Sequence, residues 1–266
     1  MEIINSHAHI YPDKIAGRAT QAIGDFYDIE MDMPLGTSDA LIKEGKEAGI
    51  TRFVVHSVAT KPEQVRSIND FIYSETLKHS EFIGFMTLHP EMSENDIIRE
   101  VERCVSKGFY GLKLHPDFQK FNIDGEQADK IYRAISMVNK VFPILFHTGD
   151  NRYEYSKPFR LASVAKKYPS LTFIGAHFGG YRCWDDYKVY EGLDNVYFDT
   201  SSSLPFISKE KAVDLIRFFG YKKFFFGDDF PMWSAKKELE RFLSLGLSKE
   251  ENEAILSGNF KKLLGL

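Results

Sequence analysis

Met1-Glu2-Ile3-Ile4-Asn5-Ser6-His7-Ala8-His9 opens the chain. An apolar pair runs into His-Ala-His, and the regular pattern then breaks. If residues 3–9 form a strand, side chains alternate with period two, so His7 and His9 share one face at its C-terminal end. Two imidazoles placed that way can converge on one transition metal without bending the backbone. Alone, the pair also reads as two solvent-facing histidines, so the missing ligands must come from the rest of the chain.

The next segment, residues 10–36, has weak periodicity and holds Arg18, Phe26, Tyr27, Met31 and Met33. It reads either as a lid or binding loop or as a surface excursion with a short helix. After it the pattern becomes regular. Short apolar runs near residues 53, 82, 111, 143, 171, 196 and 223 alternate with amphipathic stretches. Examples are Val65, Ile68 and Ile72 in 61–78, and Ala128, Ile131, Ile135 and Val138 in 126–140. Ser93 with Asp96, and Ser248 with Glu251, have the spacing of helix-opening capping boxes. With the first run, that makes eight strands alternating with helices, which predicts a buried parallel sheet of the α/β class. The length fits a closed (β/α)8 TIM barrel. An open doubly wound sheet is the alternative, but His-Ala-His stands where a Gly-rich phosphate loop would follow the first strand. No linker or low-complexity segment divides the chain, so residues 1–266 are read as one domain.

Composition narrows the function classes. The 266 residues are 43% hydrophobic, carry a net charge of −4 and include two cysteines, Cys104 and Cys183. That balance offers no case for nucleic acid or an acidic membrane. Two distant cysteines make no disulfide framework, and no signal peptide or apolar run of spanning length is visible. The expectation is a soluble cytoplasmic protein acting on a small molecule.

In a (β/α)8 barrel, functional residues gather at the C-terminal ends of the strands. Those ends carry His7 and His9, Lys113 and His115, His147, His177, Asp199, and the pair Asp228-Asp229. Of eight histidines, only His79 falls inside an expected helix. A mouth crowded with imidazole and carboxylate is the pattern of a metal centre. His7, His9, His147 and one aspartate of the 228–229 pair are the candidate ligands, a set that suits one divalent ion, Zn2+ first and Mn2+ second. An ion-bound water would ionise near neutral pH. A neighbouring carboxylate would take its proton and His177 would steady a developing oxyanion.

These motifs resemble the amidohydrolase superfamily, in particular the amidohydrolase 2 branch that includes aminocarboxymuconate semialdehyde decarboxylase. The resemblance rests on His7-Ala8-His9, on 111–116 and 146–149, on Gly175-Ala176-His177-Phe178-Gly179-Gly180, and on Phe226-Gly227-Asp228-Asp229-Phe230-Pro231. It extends from residue 3 to about 264. It implies one divalent metal on His7, His9, His147 and Asp229, with His177 as the catalytic histidine and Asp229 acting beside it. The branch's Gly-(Ser/Thr)-Asp-x-Pro pattern maps the ligand to Asp229 and places Asp228, unusually, in the Ser/Thr position. Lys113 corresponds to a lysine that is carboxylated in some superfamily members; here it is read as a barrel-lining lysine. His56 and His89 are read as structural. The branch also implies a homodimer.

Loops after strands one, five and six supply Tyr11, Arg18, Phe26, Tyr27, Arg152, Tyr153, Tyr155, Arg182 and Trp184. With His115, the residues chosen to bind substrate are Tyr11, Arg152 and Trp184, and aromatic walls with guanidiniums point to a small, flat, acidic substrate. The expected activity is a metal-dependent hydrolase that attacks an amide, ester or lactone. The alternative is non-oxidative decarboxylation of an aromatic or muconate-type acid.

Overall fold

The seam where the first strand meets the last determines where the site lies. The computed structural model describes residues 2–266. Its strands are β1 (Ile4–His9), β2 (Arg52–His56), β3 (Phe82–Thr87), β4 (Gly111–Leu114), β5 (Ile144–Phe146), β6 (Phe173–Gly175), β7 (Val196–Asp199) and β8 (Phe224–Phe225). They pair in parallel in that order, 1 to 8. Backbone bonds then join the two ends: Ser6 N donates to Phe226 O (2.8 Å), His9 N to Phe230 O (2.7 Å) and Asp229 N to His7 O (3.0 Å). The result is a nearly closed (β/α)8 barrel. Among the described residues, no helix is long and apolar enough to cross a membrane.

Strand parity sorts the side chains. Ile4, Val54, Ile83, Phe85, Leu145, Ile174 and Phe225 pack together inside the barrel, with Phe260 of the last helix against them. Leu112, Leu114, Phe146 and Phe198 belong to the larger layer between strands and helices. The β1–β2 register shifts between Asn5 and Ala8. This bulge changes parity, as an inserted residue must. Ile4 therefore lies inside at the bottom, while Ala8 packs with the outer layer. His7 and His9 meet the inward groups of other strands at the top.

The helices are α1 (Asp13–Tyr27), α2 (Ser38–Ala48), α3 (Val65–Lys78), α4 (Glu94–Ser106), α5 (Pro116–Gln119), α6 (Glu126–Ser136), α7 (Pro158–Lys167), α8 (Lys209–Phe219), α9 (Ala235–Leu243), α10 (Lys249–Glu253) and α11 (Asn259–Leu264). Ser93 and Ser248 cap α4 and α10 by accepting from the backbone N–H three residues on. Gly49 closes α2 at φ 76°, a conformation glycine adopts at little cost.

The structure corrects the reading of 10–36. α1 is a 15-residue helix, not a loop with a short helical turn. Its buried positions are Ala16, Thr20, Ile23 and Gly24, at helical spacing but mostly small. A hydrophobic-periodicity reading gives such residues little weight. Helix α6 also stops at Ser136 rather than reaching Lys140.

One buried charge beneath this frame yields a pH prediction. Glu238 on α9 is fully buried and pairs with Arg241. Burial outweighs that pairing and pushes the Glu238 carboxyl up to about 7. A carboxyl raised in the folded state is most favourable below its unfolded value and loses that contribution as pH rises through the folded one. Stability should therefore fall between about pH 5 and pH 8, by on the order of 3 kcal/mol for a shift of this size. Melting curves for Glu238→Gln should lose this group's share of the slope and keep the share of Asp228 and Asp117, whose carboxyls burial also raises. An unchanged slope would place the titrating group elsewhere.

Candidate metal centre

Hydrogen bonding orients the imidazoles at the mouth. His7 Nδ1 lies 2.8 Å from Asp199 Oδ2. Burial alone would raise the Asp199 carboxyl, but the interaction with His7 dominates and holds it at about 2. An ionised Asp199 only accepts, so His7 carries its proton on Nδ1 and turns the Nε2 lone pair inward. That Nε2 is 3.2 Å from Asp229 Oδ1, and His9 Nε2 is 3.4 Å from the same oxygen. Ser202 Oγ donates to Asp229 Oδ2 at 2.6 Å, and Trp233 Nε1 donates in turn to Ser202 Oγ at 2.9 Å. Asp229 lies at φ 61°, so a left-handed turn aims its carboxylate across the seam at the β1 histidines.

The opposite side is built by β5, β6 and the loop after β7. His177 N donates to Asp199 Oδ1 at 3.0 Å, and Trp184 Nε1 donates to His177 O at 3.0 Å. His177 Nδ1 sits 3.0 Å from the Ser201 carbonyl, which can only accept, so the network assigns the proton to Nδ1. His147 Nε2 likewise faces the Gly149 carbonyl at 3.0 Å. The remaining nitrogens, His177 Nε2 and His147 Nδ1, then confront each other at 2.9 Å, lone pair to lone pair. Such a contact needs a proton or a cation. Burial opposes the proton, lowering His177 to about 4 and His147 well below the usual imidazole range. Three sets of donors each lie within 4.8 Å of one another: His7, His177 and Asp229; His7, His9 and His56; and His115, Asp117 and His147, a set that shares no residue with the other two. Neutral imidazoles, one ionised carboxylate and facing lone pairs fit a divalent cation by donor type. Two orphaned nitrogens of buried His56, whose ring lies 4.4 Å from that of His9, add to the same unmet demand.

Lys113 and Asp228 occupy distinct places. Lys113 is fully buried and donates from Nζ to His7 Nε2 at 2.9 Å. Burial lowers it to about 8 against the pull of Asp229 and Asp199. Asp228 instead accepts from Asn5 Nδ2 (2.6 Å) and Phe230 N (2.8 Å) beneath the seam. Its burial pushes the carboxyl up to about 8.

The sequence-chosen substrate residues separate. His115 stacks on His147 at 4.0 Å between ring centres, with Phe118 stacked behind it at 3.7 Å. Tyr11 lies alongside His9 at 6.5 Å and lines an apolar cleft. Arg152 is engaged by Asp150 through Nε (3.0 Å) and Nη2 (2.8 Å) and also donates to Phe26 O. Its charge is thus met within the protein. Arg18 and Arg182 are exposed. Trp184 supports the backbone of His177.

Four contributors were not among the residues chosen. The Tyr27 hydroxyl lies 2.8 Å from His115 Nε2 and 3.4 Å from His147 Nε2, carried there by the unforeseen length of α1. Asp117 sits 3.6 Å from His147, and burial raises its carboxyl to about 6. Ser201 and Ser202 lie two and three residues after Asp199, and their place beyond a strand-end carboxylate was the available signal.

Solved structures with the same fold cover this chain end to end. An uncharacterized TIM-barrel protein from Bordetella bronchiseptica has a TM-score of 0.80 at 18% identity, covering 100% of this chain and 99% of its own. A dihydroxybenzoic acid decarboxylase from Polaromonas sp. JS666, with bound manganese and 2-nitroresorcinol, has a TM-score of 0.77 at 18% identity, covering 100% and 97%. A probable 2-pyrone-4,6-dicarboxylic acid hydrolase from Acinetobacter baumannii, with citric acid bound, has a TM-score of 0.71 at 17% identity, covering 100% of both chains. A comparison with curated protein sequences finds none that matches. The amidohydrolase family, in its second branch, matches residues 4–266, and the chain belongs to that family.

Proposed function

We propose that this protein is a metal-dependent, non-oxidative decarboxylase of an aryl carboxylic acid. The observation that carries the reading is the aromatic stack that begins at the proposed centre: His147, His115 and Phe118 form one continuous stack, with Tyr27 bonded to its edge. The decarboxylase from Polaromonas supports it by shared fold. The donors proposed for the ion, Zn2+ or Mn2+, are His7, His9, His147 and Asp229. When bound, the ion supplies a Lewis acid that binds the substrate's anionic oxygens.

The chain's own residues do the rest. The ring of the acid lies along the edge of the His147–His115–Phe118 stack, where the Tyr27 hydroxyl also sits. Lys113, the buried cation beside His7, adds its charge on the carboxylate side. The bond from ring carbon to carboxylate breaks, its electron pair stays on the carbon and carbon dioxide leaves. A proton drawn from solvent and passed through His177 Nε2 then takes up the electron pair on the ring carbon. Trp184 and Ser201 hold His177 still through its carbonyl oxygen and Nδ1.

Hydrolysis is the second reading. Asp229 can equally accept a proton from water, and the A. baumannii structure of the same fold is of a probable hydrolase. The test is a screen of hydroxybenzoates, lactones and N-acyl amides with enzyme replete in zinc or manganese. Carbon dioxide release equimolar with the phenol is expected. Ring opening or amide cleavage without carbon dioxide would replace this reading with the hydrolytic one.

A further inference from the structure

A cleft of about 680 Å³ runs outward from the mouth between α1 and α3. His9 and Tyr11 stand at its inner end. One wall is a stripe of α1, Ile15, Ala19, Ala22 and Ile23, at helical spacing; the other is Ile68 and Phe71 of α3. The lining includes no carboxylate and one cation, Lys14, which is exposed. Its size is within the roughly 300–1,000 Å³ of pockets that hold compact organic ligands. The guanidiniums expected to read an acidic substrate do not line it.

We infer that this cleft receives an apolar limb of the substrate, an alkyl chain or second ring carried on the aryl acid at a position remote from its carboxylate. The inference rests on the proposed decarboxylation for the identity of the acid. Continuity commits the cleft to this occupant. Its inner end is His9, a proposed ligand of the ion, so a molecule seated at the centre projects directly into it. Small residues on α1 leave the room: Ala19 and Ala22 are the α1 positions in the lining with the shortest side chains. The substrate class is therefore an aryl carboxylic acid of amphiphilic shape, rather than a small acid charged at several positions.

The test separates binding from chemistry. Calorimetric titration of the zinc-loaded protein with para-alkylphenols, from ethyl to octyl, reads the cleft without any bond breaking. Burial of one methylene is worth about 0.8 kcal/mol, which converts to about fourfold in Kd per added carbon. That slope is expected over the first several carbons, followed by a plateau when the cleft is full. Ala22→Trp and Ser67→Trp fill it from opposite walls at exposed positions and should each flatten the slope, with melting temperature and metal content as checks on folding. A Kd independent of chain length in the native protein overturns the inference, as does a slope that both tryptophan variants retain. If the slope is present while none of the corresponding alkyl hydroxybenzoates releases carbon dioxide, the cleft assignment stands and the decarboxylase reading falls.

Discussion

Asp229→Asn should abolish turnover and weaken metal binding by more than about a hundredfold, since loss of groups one shell further out already costs 10–100-fold. Asparagine is the informative replacement. It tolerates the left-handed backbone at φ 61° and keeps the side-chain oxygen and shape, so the fold is preserved. What it removes is the charge. Asp229 Oδ1 is the point where His7 Nε2 and His9 Nε2 converge, and burial would raise this carboxyl were it not for His7 and His9, which hold it well below the usual range. A neutral amide there leaves a divalent cation among imidazoles alone. Asp228→Asn is the matched control. Its carboxyl faces Asn5 and the Phe230 backbone, so metal content should remain at one ion per chain. Metal analysis after dialysis against a weak chelator reads both variants. The assignment of the two neighbouring aspartates is reversed if Asp228→Asn loses the ion and Asp229→Asn keeps it.

His177→Asn should lower kcat by about 10²–10⁴-fold, the range for losing a positioned proton-transfer group, while the ion stays bound. Asparagine again accepts the backbone, here at φ 62°. His177 is held at three points: its N–H by Asp199, its Nδ1 by Ser201 and its carbonyl oxygen by Trp184. Its free nitrogen, Nε2, is the one that faces His147. The proposed ligands remain in place, so activity and metal content should separate. Parallel loss of both would make His177 a ligand and require a different proton donor.

Much of this was legible in the sequence because a parallel barrel writes its strands as short apolar runs and its site as polar residues at their ends. The eight runs, the capping serines and the clustering of His7, His9, His147 and His177 are of that kind. The length of α1 was not legible, because its buried stripe of Ala16, Thr20 and Gly24 carries little hydrophobic signal. With it went the role of Tyr27, which reaches the site only because the helix runs that far. The parity change at the β1 bulge was also invisible; it depends on pairing with β2 rather than on local pattern. Arg152 shows the limit of reading charge from composition. Its guanidinium looked available to an acidic substrate until its contacts with Asp150 and Phe26 were known.

In the proposed centre one divalent ion joins the β1 histidines to Asp229 across the seam and to His147 just after β5. Diffraction from zinc-loaded crystals, recorded on both sides of the zinc absorption edge, tests it most directly. A single anomalous peak is expected within bonding distance of His7 Nε2, His9 Nε2, His147 Nδ1 and Asp229 Oδ1, with Lys113 displaced from His7. A loaded crystal with no peak at the mouth, or with zinc bound only at the surface, would contradict it.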